Sequence, residues 1–206
     1  MSMHETTDKR FFFDSVAPRW LRDAAPRSEQ LRQILSSYAI PCAAPLLDVG
    51  SGAGIMLPFL RERSTSTDVI VEMDISGEML NLAKHHHGDA GLLRYVQADA
   101  HRLPFPAASF NTVMCFSVYP HFHSPALALS ELARCLKPGG QLCILHLMGH
   151  LELDAMHREA GDAVSRDILP AASDLATGLA DHGFHPEIVE ERSDLYLIVA
   201  ALINGE

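Results

Sequence analysis

An α/β fold, with a seven-stranded and mostly parallel sheet between two layers of helices, is what the sequence predicts, on three observations. Short apolar runs alternate with stretches of helical period, the pattern of strands buried on both faces and joined by crossover helices. A glycine-rich turn, "GSGAG" at residues 50–54, stands between the first apolar run and the first helical one. The last two apolar runs are separated only by "RSD" at 192–194, too little chain for a crossover, so they pair as an antiparallel hairpin and the last strand runs against the rest.

Strands are predicted at 46–49, 69–73, 93–97, 112–116, 141–147, 187–191 and 195–202, and helices at 55–63, 77–86, 124–136 and 173–182. Pro58 falls in the first turn of its helix, where a missing N–H is not needed. Ser76 is placed to cap the second helix, with Glu78 in its first turn, and Gly88 ends it behind His85, His86 and His87, whose imidazoles suit the negative end of the dipole. "LKPGG" at 136–140 reads as a helix stop and turn before the fifth strand. Residues 148–170 read as an insertion with a short helical pattern, beyond the carboxyl end of the fifth strand, which is the ligand edge of an open α/β sheet.

The chain has 206 residues and a formal net charge of −10, with no cluster of Lys and Arg to neutralise a phosphate backbone, so nucleic acid is excluded as the main partner and a small molecule is expected. No run approaches the ~18 apolar residues of a membrane span. The first residues lack the pattern of a secretory signal. Cys42, Cys115, Cys135 and Cys143 form no CxxC pair and read as reduced thiols, so a cytoplasmic location is expected.

Gly50, Gly52 and Gly54 strip the turn of side chains where a ligand must approach the backbone and the helix N-terminus. Ile55 stands where a dinucleotide fingerprint needs its third glycine, no Gly-Lys-Ser/Thr follows for a triphosphate, and Ser51 lacks the flanking glycines of a hydrolase elbow. Asp74, just past the second strand, is placed to accept the hydroxyls of a ribose, with Glu72 on the same strand face as the runner-up. Asp99 and Ala100 follow the third strand, where a carboxylate and a backbone N–H can read the edge of an adenine. Together these positions describe one nucleoside lying across the sheet edge.

The set "LDVGSGAG", "EMDISGEML", "QADAHRLPFPAASFNTV" and "ELARCLKPGGQLCIL" resembles the class I S-adenosylmethionine-dependent methyltransferases over residues 45–147. The resemblance implies a Rossmann-like three-layer sandwich and S-adenosylmethionine as the cofactor. Asp48, Gly50, Ser51, Gly52 and Gly54 would surround its methionine part, Asp74 its ribose, Ile75 and Met79 its adenine, Asp99 and Ala100 the base edge, and Cys115 and Phe116 would close the pocket. "FFFDSVAPRW" at 11–20 is similar to the leading helix of the ubiquinone and menaquinone biosynthesis methyltransferases. Asn111 departs from the usual acid of that family, a change read as structural. One domain over 1–206 follows: a helical cover at 1–40, a cofactor-binding core at 45–147, an insertion or lid at 148–170 and a closing helix and hairpin at 171–206.

Methyl transfer from a sulfonium is an in-line displacement with a neutral leaving group, so positioning dominates and a base is needed only where the nucleophile carries a proton. Twelve histidines make the candidates numerous. His146 ends the fifth strand, and Tyr119, His121 and His123 follow the neighbouring fourth. His150 and His157, seven residues apart in the insertion, are expected to share a helix face. The cluster reads either as a general base with its orienting partner or as a metal site of imidazoles. Two other functions fit less well: a binding module with this fold and no turnover, and a nicotinamide oxidoreductase, which Ile55 disfavours.

Overall fold

The computed structural model describes residues 3–65, 67–89, 91–160 and 163–203, with side chains described outside 3–6 and 19–27. Gly161 and Asp162 of the predicted insertion, and the side chains of Arg19 and Trp20 in the leading helix, lie outside the described residues. The helices are α1 (Met3–Ser37), α2 (Leu57–Glu62), α3 (Gly77–His87), α4 (Pro125–Cys135), α5 (His150–Glu159) and α6 (Ala172–Leu179). The strands are β1 (Leu46–Val49), β2 (Ile70–Asp74), β3 (Leu93–Gln97), β4 (Phe110–Phe116), β5 (Leu136–His146), β6 (Phe184–Arg192) and β7 (Leu195–Leu202).

They form one sheet in the order β3-β2-β1-β4-β5-β7-β6, in which β7 pairs antiparallel with both β5 and β6 and the other pairings are parallel. Alternate residues of each central strand enter opposite cores. Leu47, Val71, Val113 and Ile144 pack with Leu129 and Leu132 of α4 and Leu175 and Leu179 of α6. Leu46, Ile70, Met114 and Leu145 pack with Leu31 and Leu35 of α1 and Leu57 and Leu60 of α2. The three-layer, mostly parallel architecture read from the sequence is therefore the fold. Strand order reverses between β1 and β4, and the loops leaving those two strands press together: a Cβ on Gly50 would lie 2.2 Å from Val118 Cγ2. Such a reversal opens the crevice where α/β sheets bind ligands.

Boundaries differ from expectation where turn chemistry intervenes. The helix expected at 55–63 starts at Leu57, because Gly54 and Leu57 are taken up in successive tight turns, Gly54 N–H donating to Ser51 O and Leu57 N–H to Gly54 O. "LKPGG" is not a simple turn. Leu136, extended behind α4, already pairs with Phe110, the next four residues bulge out, and pairing resumes between Gln141 and Thr112. Gly139 takes φ +75 within that bulge, a conformation glycine supplies without strain. β6 likewise starts at Phe184 and carries an irregularity between Pro186 and Ile188, so it is longer than the expected 187–191.

Asn111 explains its own departure from the family pattern. Its side-chain amide donates to the Ala44 carbonyl and its N–H to Pro45 O, and a carboxylate at this position has no hydrogen to offer Ala44. The insertion enters tightly against the hairpin: Gly149 N–H donates to Ser193 O at 3.1 Å, and a Cβ there would lie 2.5 Å from Arg192 O. One carboxylate then starts both following helices. Glu191 of β6 accepts from His150 N–H at 2.9 Å and from Ala172 N–H at 2.8 Å, the first residues of α5 and α6.

Candidate functional site

The carboxyl ends of β1, β2 and β3 open into a first cavity, bordered by Gly50, Gly52, Asp74, Ile75, Met79, Asp99 and Ala100, with Lys9 and Phe13 of α1 over it. Asp74 is 7% exposed. Its carboxylate ties the glycine turn to α3: one oxygen accepts from Gly52 N–H and the other from Ser76 N–H, both at 2.8 Å. Burial lifts the Asp74 carboxyl to about 6, against the pull of those N–H bonds. Asp99 accepts from the backbone N–H of His101 at 3.0 Å and pairs with the His101 ring. His101 Nε2 accepts from Ser124 N–H, which leaves its Nδ1 to donate to Asp99. The His101 ring stacks on His123 at 3.6 Å between centroids, and both border the cavity.

Asp48, Ser51 and Phe116 border a second, smaller opening on the other side of Gly50 and Gly52. Neither oxygen of Asp48 has a partner among the described residues. Asp48 stands in register with Glu72, also fully buried. Burial and then the neighbouring acids push both carboxyls well above the carboxylate range. Gly54 borders neither opening; it serves packing, since a Cβ would lie 2.8 Å from His87 Cδ2. Cys115 is wholly inside the core, its thiol pushed up by burial, and borders neither.

A third cavity lies beyond β5, between Phe12 and Phe13 of α1 and Leu153, Met156 and His157 of α5, and His121 and His146 face it. His121 Nδ1 is 2.6 Å from Asp167 Oδ2, His157 Nδ1 donates to the Asp167 carbonyl at 2.9 Å, and Lys9 reaches both Asp167 and, at 2.7 Å, the Ala163 carbonyl. Burial lowers His121 below the usual histidine range despite Asp167. His146 is 2% exposed, its Nε2 has no partner among the described residues, and burial lowers it to about 3.

The remaining candidates separate from this group. Tyr119 is buried against Phe122 in the core, its hydroxyl pushed up to about 12 by burial, and borders neither the first nor the third cavity. His123 joins the first cavity. His150 and His157 do not share a working face: His150 Nδ1 pairs with Glu191 on the hairpin, while His157 turns into the third cavity. Among the described residues no three His, Cys, Asp or Glu side chains are arranged to hold a metal ion, so the imidazoles do not assemble into the metal site considered above.

Ser117, His101, Lys9 and Asp167 carried no functional signal in the sequence. Ser117 borders all three cavities and takes φ +54, a left-handed conformation uncommon outside glycine. Its neighbours Cys115 and Phe116 were singled out, but the strand's alternation gave no sign that the next residue would turn. Phe13 and His121 join Ser117 in separating the first cavity from the third. Lys9 and Asp167 meet His121 from sequence positions too distant for any local spacing to reveal.

Comparison with known proteins places this geometry among relatives. The family described as a methyltransferase domain matches residues 47–144. The demethylmenaquinone methyltransferase of Deinococcus radiodurans is 39% identical over 101 residues, 48% of this chain and 42% of that protein. The ubiquinone/menaquinone biosynthesis C-methyltransferase UbiE of Methylococcus capsulatus is 30% identical over 181 residues, 84% of this chain and 72% of the relative. The chain thus spans about two fifths of the first of these relatives and nearly three quarters of the second. A SAM dependent methyltransferase from Aquifex aeolicus superposes with a TM-score of 0.66 over 84% of this chain and 89% of its own, a likeness of fold at 20% identity.

Proposed function

Because the chain belongs to the class I S-adenosylmethionine-dependent methyltransferases, of the ubiquinone/menaquinone biosynthesis type, we propose that it binds S-adenosylmethionine in the first cavity and methylates a small apolar acceptor in the third. The observation that carries this reading is the shared wall: Phe13, Ser117 and His121 border both cavities, so donor and acceptor meet there. The residues fit the cofactor. Asp48, unpartnered at the edge of the small opening, suits an ammonium, Asp74 suits ribose hydroxyls, and Ile75, Ala98 and Ala100 offer an apolar slot with backbone groups for adenine. Asp99 would serve that slot through its tie to His101 as well as through its own oxygens.

When bound, S-adenosylmethionine supplies a methyl group on a positively charged sulfur that leaves as a neutral thioether. The protein's own part is to align the two reactants and keep water out, effects that reach about 7–11 kcal/mol in well-oriented reactions. Phe12 and Phe13 of α1 with Leu153 and Met156 of α5 supply the dry walls, which makes 1–40 a cover and 148–170 a lid in this reading. Where the acceptor's nucleophile carries a proton, His121, His157 and His146 are the bases within the cavity. The named activities of the relatives point to a quinone-type ring methylated at carbon, and the apolar cavity suits one. The cysteines, all four free thiols, suit a reducing cytoplasm, and no described helix is long and apolar enough to cross a membrane.

Titration calorimetry with S-adenosylmethionine tests the reading. The parent chain is expected to bind and Asp74→Ala to bind more than ~10-fold more weakly, as the loss of a charged hydrogen-bond acceptor implies. A parent that gives neither heat nor a melting shift at millimolar cofactor overturns the proposal.

A further inference from the structure

Proton handling in the third cavity is narrowed by its hydrogen bonds. Asp167 Oδ2 is 2.6 Å from His121 Nδ1 and also receives Lys9 Nζ, whose other bond goes to the Ala163 carbonyl. Lys9 arrives from α1, Asp167 from the loop after α5 and His121 from the short 3-10 turn Tyr119–His121 after β4. Three elements distant in sequence therefore converge on one carboxylate with only 11% of its side chain exposed.

We propose that His121 takes the hydroxyl proton that activates the methyl acceptor through Nε2, and that Asp167, fixed by Lys9, is the positioning residue that keeps that nitrogen bare; this rests on the methyltransferase reading above. An ionised carboxylate only accepts, so the bond to Asp167 puts the ring hydrogen on Nδ1 and leaves the Nε2 lone pair as the acceptor. The His121 and His157 rings lie 5.1 Å apart and Phe13 packs edge-on to His121 at 5.0 Å, which fixes the ring plane between the two cavities. His121 is unlike its neighbours in this respect. His157 spends its Nδ1 hydrogen on a neutral carbonyl, and His146 has no carboxylate beside it, so neither has a negative partner to take up the charge of an imidazolium.

The step balances simply. The hydroquinone O–H bond breaks and an N–H bond forms at His121 Nε2, and the electron pair delocalises from oxygen to the ring carbon. That carbon takes the methyl group as the sulfur–methyl bond breaks and the thioether leaves neutral. The ring C–H hydrogen then moves to the keto oxygen to restore the hydroquinone, and the imidazolium, neutralised meanwhile by Asp167, returns its proton to water. The charged and titratable groups facing His121 are Asp167, Lys9, His157 and His146. Burial, reinforced by His157 and Lys9, lowers its titration, while Asp167 raises it, so the ring is an unprotonated base at neutral pH.

Histidine-labelled protein observed by long-range ¹H–¹⁵N spectra between pH 5 and 9, with and without S-adenosylmethionine, tests the assignment without requiring turnover. The parent should show His121 as the Nδ1–H tautomer, titrating below 6.5. Asp167→Asn should lose that tautomer while its cofactor dissociation constant stays within about threefold, since Asp167 itself does not border the first cavity. With tritiated S-adenosylmethionine and 1,4-naphthohydroquinone as the probe acceptor, Asp167→Asn should lower kcat at least ~10-fold and shift the acid limb of the profile downward, Asp167→Glu should recover part of the loss, and His121→Gln should lose ~100-fold or more, the range of general-base effects. An Nε2–H tautomer in the parent, or a tautomer and acid limb untouched by Asp167→Asn, overturns the proposal. Absence of cofactor binding in the parent instead overturns the methyltransferase reading, and the spectra still report whether Asp167 orients His121.

Discussion

Asp74 is structural in the free protein and, in the proposed reading, also a cofactor contact. In the free protein it is nearly dry, yet its two oxygens already accept N–H bonds from the glycine turn and from α3. Its folded value of about 6 exceeds the ordinary 3.8, so the folded chain holds a proton on Asp74 that the unfolded chain has released between those values. The stability linked to that proton is present below about pH 4 and lost as pH rises through 6. Under the proposed ribose role, cofactor binding has the opposite requirement, because ribose hydroxyls would donate to the ionised form. We expect the dissociation constant for S-adenosylmethionine to rise roughly 10-fold between pH 7.5 and pH 5, following the fraction of ionised Asp74. Calorimetry across this range should show it, and Asp74→Asn should be weak and flat with pH. A parent affinity constant down to pH 5 would sink the ribose role. The place of this acid at the sheet edge was legible in the sequence because alternation along β2, which Asp74 ends, fixes where it points. The partnership of Asp99 with His101 was not, because a two-residue turn bond competes with ligand contacts and leaves no periodic trace.

At the scale of elements, the sequence revealed most where hydrophobic period and turn residues agreed. α3 runs from its Ser76 cap to Gly88 nearly as read, since the Ser76 hydroxyl accepts from Met79 N–H and the three histidines close the last turn. "LKPGG" misled because its proline and glycines announce a turn whether they end a strand or bulge from its middle. α5 and α6 pose a different problem: neither has a capping side chain of its own. Their first N–H groups converge on Glu191, a residue of β6 that sequence patterns read only as a strand acid. Burial works against the Glu191 charge, but the N–H donors and His150 hold its carboxyl below the usual range. Glu191→Ala should therefore destabilise the fold by roughly 1–3 kcal/mol, the size of two lost caps. Urea unfolding measures that loss. Amide exchange should quicken at the starts of α5 and α6 and not in α3. Uniform acceleration over the sheet would mean that Glu191 acts through β6 pairing instead.

For the whole molecule, composition and period sufficed to give seven strands, a mostly parallel sheet and the reversed β7, since these follow from burial on two faces and short connections. What the linear pattern could not give is the meeting of three cavities at Ser117, because that depends on a left-handed residue and on a helix, α1, folded back over the sheet edge. The same crowding buries titratable groups of opposite consequence. Asp48, Glu72 and Asp74 are raised by burial, so each favours the folded state as pH falls from neutral. His146 acts in the other direction. Its folded value of about 3 lies below the ordinary 6.5, so the unfolded chain binds a proton between these limits that the folded chain refuses. Stability linked to His146 is present above pH 6.5 and lost as pH falls through that window. Since Nε2 has no partner, His146→Leu should match or slightly exceed the parent in stability at pH 7. At pH 4.5 the variant should retain roughly 2–3 kcal/mol that the parent has lost, the free energy of charging one buried imidazole over two pH units. Paired urea titrations at the two pH values isolate this difference from the three acids, which both chains share. Equal losses in parent and variant would show that His146 accepts its proton in the folded state, through an opening of the third cavity to water.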